Sequence, residues 1–210
     1  MLHYFIIYKP FQVLSQFTSE GGKRTLKDYF AVPTDVYAVG RLDYDSEGLL
    51  LLTNDKQLNH RLLDPRFAHE REYWVQVEGD LKSHEFSAES QESGEEGGQS
   101  AIQQLEQGVM IAVDGKSYRT KPCRAMVFDE PPAVPERNPP IRYRKNVPDS
   151  WLKLVLTEGK NRQVRKMTAQ VGFPTLRLIR YRIEQLTIEG LQPGDMQILT
   201  RSAVYSGLFS

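Results

Sequence analysis

The sequence predicts a strand-rich α+β protein in two lobes, and three observations predict it. Apolar runs of strand length recur at His3 to Tyr8, Val36 to Gly40, Gly48 to Thr53 and Glu72 to Glu78. Trp151 to Thr157 alternates, with Leu152, Leu154 and Leu156 on one face, as a strand with one buried side does. Residues 131 to 148 hold six of the twelve prolines, which suits neither a helix nor a central strand. That stretch reads as an extended crossing between lobes of about 1–130 and 141–205.

Each element has a local reason. Lys9-Pro10 closes the first strand, and Thr25 to Phe30 suits a short helix. Asn54 or Asp55 can cap a helix running to about Leu63, where Asp64-Pro65 stops it. Residues of about 80–100 are rich in Ser, Glu, Gln and Gly, the composition of a flexible acidic insert. Ser100 caps a helix to Gln107, which Gly108 ends. Asp114-Gly115 between Val109–Val113 and Lys116–Thr120 is a hairpin signal. Glu158-Gly159 turns the chain, and Asn161 caps a helix to about Val171 with Val164, Met167 and Val171 on its apolar face. Leu176 to Ile183 and Met196 to Thr200 read as closing strands. There is no internal repeat.

Composition narrows the function classes. The 210 residues are 40% hydrophobic and 26% charged, an ordinary globular balance. A single cysteine, Cys123, cannot form an internal disulfide, which fits a reducing, cytoplasmic setting. The N-terminus lacks a basic region and a cleavage site, so no secretory signal is expected. No apolar run approaches the ~20 residues of a membrane span. Net charge is zero, but its distribution is uneven. Residues 80–106 hold seven acidic groups against Lys82 alone, leaving 26 basic and 20 acidic residues elsewhere. Eleven Lys or Arg lie within 141–182, against Asp149 and Glu158. Such clustering suits phosphate neutralisation, and equally a solvated charged face.

The stretch Gly40-Arg41-Leu42-Asp43-Tyr44-Asp45-Ser46-Glu47-Gly48 sets a charged loop between two apolar runs. Rigid scaffolds often carry functional residues on such loops. Arg41 and Asp43, two apart, face one side of an extended chain. Spacing alone favours a solvated turn. A calcium loop does not fit, since the twelfth position counted from Asp43 is Asn54.

The run from Gly40 to Asp55 resembles the signature of bacterial rRNA pseudouridine synthases of the small-subunit synthase A type. Further segments match in the family's order. Tyr8-Lys9-Pro10 resembles its first motif, and Arg71-Glu72-Tyr73 its Lys-Glu-Tyr segment with Arg in place of Lys. Glu158 to Met167 resembles the third motif, and Leu176 to Arg180 the strand that follows. The resemblance covers nearly the whole chain outside the acidic insert. It implies a pseudouridine synthase fold: a mixed, mostly antiparallel sheet with flanking helices, in two lobes around a central cleft. It also implies one catalytic domain over 1–210, of the branch that lacks an S4 module.

What the resemblance implies chemically is an isomerase, an intramolecular transferase that converts a specific uridine of 23S rRNA to pseudouridine. The reaction exchanges an N1–C1′ bond for a C5–C1′ bond, so no cofactor and no metal are expected. Asp43 is implied as the nucleophile, Arg165 as its cationic partner, and Tyr73 as the ring that stacks on uracil and takes the C5 proton. Leu178 is implied on the other face of the base. Lys9 and Pro10 read as structural supports, and Asp45, Ser46 and Glu47 as residues that shape the loop. Charge and placement suggest Arg41 for the displaced backbone, and Arg162, Lys166, Arg177, Arg180 and Arg182 for a phosphate track. A monomer acting on 23S rRNA is expected, with no membrane partner. Another rRNA site, such as one in 16S, and a non-catalytic assembly factor stay open as alternatives.

Overall fold

The computed structural model describes residues 1–84, 99–142, 145 and 147–209. Most of the acidic insert, at 85–98, lies outside the described residues. The chain divides into two compact units that interleave in sequence. Unit 1 comprises Met1–Arg71, Pro135–Asn138 and Ile179–Ser210, and unit 2 comprises Glu72–Val134 and Pro139–Leu178. These are not the lobes drawn from the sequence at about 1–130 and 141–205. The proline-rich segment is not a single boundary, because sheet pairing recruits strands that are remote in sequence.

In unit 1, β1 (Tyr4–Lys9) pairs antiparallel with β3 (Glu47–Thr53) on one side and with β11 (Met196–Ile198) on the other. Every residue of β1 and β3 is buried. The unbroken Leu49–Leu52 run explains this, since a strand covered on both faces has no reason to alternate. One face carries Phe5, Ile7, Leu50 and Leu52 against Val13, Leu26, Phe30 and Val36. The expected Val36–Gly40 strand shrinks to β2 (Tyr37–Ala38), paired with β3. Thr25 to Phe30 supplies a short 3-10 turn at Leu26–Asp28. Asp55 caps α1 (Lys56–Leu63), its carboxylate accepting from the amides of Gln57 and Leu58. The same carboxylate accepts from Tyr4 and Tyr205 at 2.7 and 2.8 Å. Tyr205 lies on α4 (Arg201–Phe209), a helix the sequence reading did not anticipate.

In unit 2, β4 (Arg71–Glu78, from Glu72 on), β8 (Asp149–Leu156) and β7 (Arg124–Val127) lie in the order β4-β8-β7. Ser100 caps α2 (Ala101–Gln107), accepting from the amide of Gln103 while its own amide donates to the Gln103 side chain. β5 (Met110–Val113) and β6 (Lys116–Arg119) form the expected hairpin. Its turn residues, Asp114 and Gly115, have φ of 49° and 75°, the positive pair a two-residue turn requires. β8 buries Leu152, Leu154 and Leu156 as expected, but also Trp151 and Val155, so both faces are covered. α3 (Gln163–Gln170) starts later than predicted: the cap is Arg162, not Asn161.

β9 (Thr175–Ile183) contributes its first four residues to unit 2 and the rest to unit 1. In unit 1 it pairs parallel with β3, Gly48 opposite Arg180, and antiparallel with β10 (Leu186–Thr187). The sheet is thus mixed and mostly antiparallel.

Candidate active site

Unit 1 presents Asp43 on a turn whose backbone is held from beneath. The Ser46 amide donates to the Asp43 carbonyl at 3.1 Å, closing the turn. The preceding residue, Leu42, is fixed at both polar groups by one hydroxyl. Ser15 Oγ donates to the Leu42 carbonyl at 2.8 Å and accepts from its amide at 3.0 Å. Arg41 is exposed, Asp43 half-buried, and Ser46 and Glu47 buried. Gly48 follows with φ of +106°, and an added Cβ there would lie 2.3 Å from the Arg180 carbonyl oxygen. Only glycine lets β9 approach at this point.

Charged groups are buried around this turn. Lys9 is fully inaccessible and its ammonium donates to the carbonyls of Pro10 and Val13 at 2.9 and 2.7 Å. Burial pushes its pKa down to about 7, against the opposing pull of Glu47, then Asp45 and Asp43; Arg180 lowers it further. Glu47 is buried to 1% exposure. In unit 1 Lys9 sits buried among the carboxylates of the Asp43 loop.

Unit 2 gathers Tyr73, Leu178 and the helix bearing Arg165 around one core. Tyr73 and Leu178 belong to a buried cluster with Val75, Leu154, Val164 and Met167. Val164 and Met167 are the inner face of α3, so Arg165 rides on a helix seated in that core. The loop before α3 is closed by a buried carboxylate that the sequence reading passed over. Glu158 accepts from Tyr118 Oη at 2.5 Å, from the Lys121 amide at 2.9 Å and from Gln163 Nε2 at 2.7 Å. Gln163 Oε1 in turn accepts from the Lys160 amide at 2.9 Å. This lattice explains the shifted helix start. It forces Arg162 into a left-handed conformation, φ 52° and ψ 33°, and leaves Asn161 exposed.

Residues 3–170 match the model of the RNA pseudouridylate synthase family. The chain belongs to that family. It is 46% identical over 201 residues to ribosomal large subunit pseudouridine synthase E of Xanthomonas campestris, covering 95% of this chain and 96% of that one. It is 45% identical over 190 residues to the protein of the same name from Vibrio parahaemolyticus, covering 90% and 71%. A crystal structure of a pseudouridylate synthase superposes with a TM-score of 0.69 at 25% identity, over 97% of this chain and 73% of the other. The expected α+β pseudouridine synthase fold is therefore the fold observed.

The synthase buries part of the phosphate track that charge suggested. Arg177 and Arg180 are each 5% exposed. Arg180 Nε donates to the Leu49 carbonyl at 2.8 Å, tying β9 to β3 within unit 1. Arg182 pairs with Glu70 at 3.3 Å. Arg162 is exposed and Lys166 half-buried, so these two keep a surface position. Charge clustering in sequence cannot tell a surface arginine from one that satisfies buried carbonyls. Among the described residues, no helix is long and apolar enough to cross a membrane.

Proposed function

We propose that this chain isomerises a specific uridine of 23S rRNA to pseudouridine, with Asp43 as the nucleophile. The observation that carries the reaction is the family match across 3–170, joined to relatives named for the large subunit at 45–46% identity. What supports Asp43 is its setting: a half-buried carboxylate on a turn held by Ser15 and set among charged groups. The target uridine leaves its stack, at a cost of a few kcal/mol. The Asp43 carboxylate bonds to the uridine as the N1–C1′ bond breaks, the base turns, a C5–C1′ bond forms as the bond to Asp43 breaks again, and N1 takes up a proton in place of the one that C5 loses. The C5 proton leaves to Tyr73, whose ring stacks on the uracil opposite Leu178. Arg165 keeps the nucleophile ionised. Arg41, Arg162 and Lys166 bind the RNA backbone. The enzyme acts as a cytoplasmic monomer, and 1–210 serves as one catalytic domain.

Pseudouridine mapping in rRNA tests this reading. Cells lacking the gene should lose one 23S mark; wild type should restore it and Asp43→Asn should not. A mark restored by Asp43→Asn removes Asp43 as nucleophile. A lost mark in 16S instead relocates the target. Persistence of every mark, with no synthase activity of the purified chain on rRNA, defeats the reading.

A further inference from the structure

On unit 1, the segment after α1 holds an aromatic ring outward beside a run of cations. Phe67 is 49% exposed and Leu63 43% exposed, an aromatic and an aliphatic side chain on the same short segment. Their positions are fixed. Arg71 clamps the segment at both ends, donating to the carbonyls of Leu62 and His69 at 3.0 and 2.9 Å. Ala68 takes a left-handed conformation, φ 49° and ψ 38°, which turns the chain between an exposed Phe67 and a buried His69. The His69 ring stacks behind Phe67 at 5.9 Å and 27°, and packs on Phe209 at 5.4 Å. His69 is itself anchored, its Nδ1 2.9 Å from a Glu184 oxygen that also accepts the Glu70 amide at 2.8 Å. Phe67 is therefore a half-exposed ring backed by His69, not a loose side chain.

The surrounding charge selects a partner. Residues 56 to 68 carry Lys56, Arg61 and Arg66, with His60, against Asp64 alone, and all four of these basic side chains are exposed. The Asp64 carboxylate pairs with Arg66 at 2.6 Å, so that pair is neutral and the net positive charge of the segment rests on Lys56 and Arg61. The Arg61 guanidinium lies 3.9 Å from the Phe209 ring centre and 5.9 Å from that of Phe67. A half-exposed aromatic ring flanked by cations suits a nucleobase with its phosphates, whereas two apolar side chains are too few for a protein docking core. The patch also continues toward the reacting loop. Leu63 Cδ2 would be 3.1 Å from a Cβ at Gly40, three residues before Asp43. We propose that Phe67, with Arg61 beside it, is an RNA-docking platform on which an unpaired nucleotide flanking the target uridine stacks.

This inference rests on the reading that the chain modifies RNA. The test measures binding of a fluorescein-labelled single-stranded oligouridylate by anisotropy, alongside steady-state turnover of a 23S rRNA transcript. Phe67→Ala should weaken oligouridylate binding about tenfold, the effect of removing one stacking ring. On the transcript, the loss should fall on KM and not on kcat. Phe67→Trp should bind as wild type does, and Phe67→Leu should fail like Phe67→Ala. Arg61→Gln should weaken binding and lower the salt dependence by about one released ion. Wild-type affinity in Phe67→Ala overturns the proposal. So does full affinity in Phe67→Leu, which would mark a simple apolar contact. So does a defect seen only on assembled ribosomal particles, which would mark a protein partner. If the wild-type chain turns over no rRNA, the functional reading fails, and the oligouridylate measurement still decides the platform.

Discussion

One hydroxyl, that of Ser15, satisfies both backbone polar groups of Leu42, the residue before Asp43. Ser15 is 6% and Leu42 7% exposed, so water cannot replace the hydroxyl cheaply. Ser15→Ala leaves a buried N–H and a buried carbonyl without that partner. An unsatisfied buried group costs about 1–3 kcal/mol. We expect a destabilisation of about 2 kcal/mol in urea unfolding. Freed from its clip, the turn also misplaces Asp43, and small misplacements of a reacting group can cost up to about a hundredfold in rate. Single-turnover measurement of Ser15→Ala should show at least about a tenfold fall in rate with folded protein, and Ser15→Thr should recover most of it. An unchanged rate in Ser15→Ala would mean the clip serves stability alone.

Nothing around Ser15 in the sequence announced this role. Its neighbours read as ordinary apolar and polar residues, and the partner lies 27 positions away. What was legible depended on local chemistry. Asp114-Gly115 forced a hairpin, Asp55 capped α1, and Ser100 with Gln103 made a capping box, because each acts within a few residues. Where distant residues decide, local chemistry misleads. Asn161 is a good cap in isolation, yet Glu158 and Tyr118 set the loop and moved the cap to Arg162. Arg177 and Arg180 looked like surface cations until strand pairing buried them. The helix α4 was missed because Arg201–Phe209 is short and includes Gly207.

Lys9 should leave a signature in the pH dependence of stability. In the unfolded chain it holds its proton up to about 10.5, and in the folded protein only to about 7. Between these values the unfolded state binds more protons, so this group makes stability rise with pH. The slope approaches about 1.4 kcal/mol per pH unit within the window. Below pH 7 both states are protonated and the full penalty of burying the charge is present. Lys9→Met lacks the ionisation, so the stability difference between wild type and Lys9→Met should change between pH 7 and 8.5 in favour of wild type. That range stays below the Cys123 thiol, which burial pushes up to about 12 from a usual value near 9. Parallel stability curves for the two proteins across this range would show that Lys9 keeps its proton in the fold.

The Glu158 carboxylate offers a cleaner energetic test, because its donors are separable. Tyr118 supplies one hydrogen bond from the β5–β6 hairpin, Gln163 another from the start of α3, and the Lys121 amide a third. Tyr118→Phe removes one partner and leaves the carboxylate satisfied by two, for a cost of about 1 kcal/mol. Glu158→Ala strands three donors at once at a site where Glu158 is 8% exposed, for a cost of about 3 kcal/mol or more. Because the hydroxyl acts through the carboxylate, Tyr118→Phe should cost almost nothing when added to Glu158→Ala. The double-mutant cycle by urea unfolding then gives a coupling of about 1 kcal/mol. Activity should follow the same order, since the lattice sets the loop from Lys160 to Arg162 and the start of the helix that carries Arg165. If Tyr118→Phe costs as much beside Glu158→Ala as it does alone, the tyrosine supports the hairpin by packing, and the lattice does not position α3.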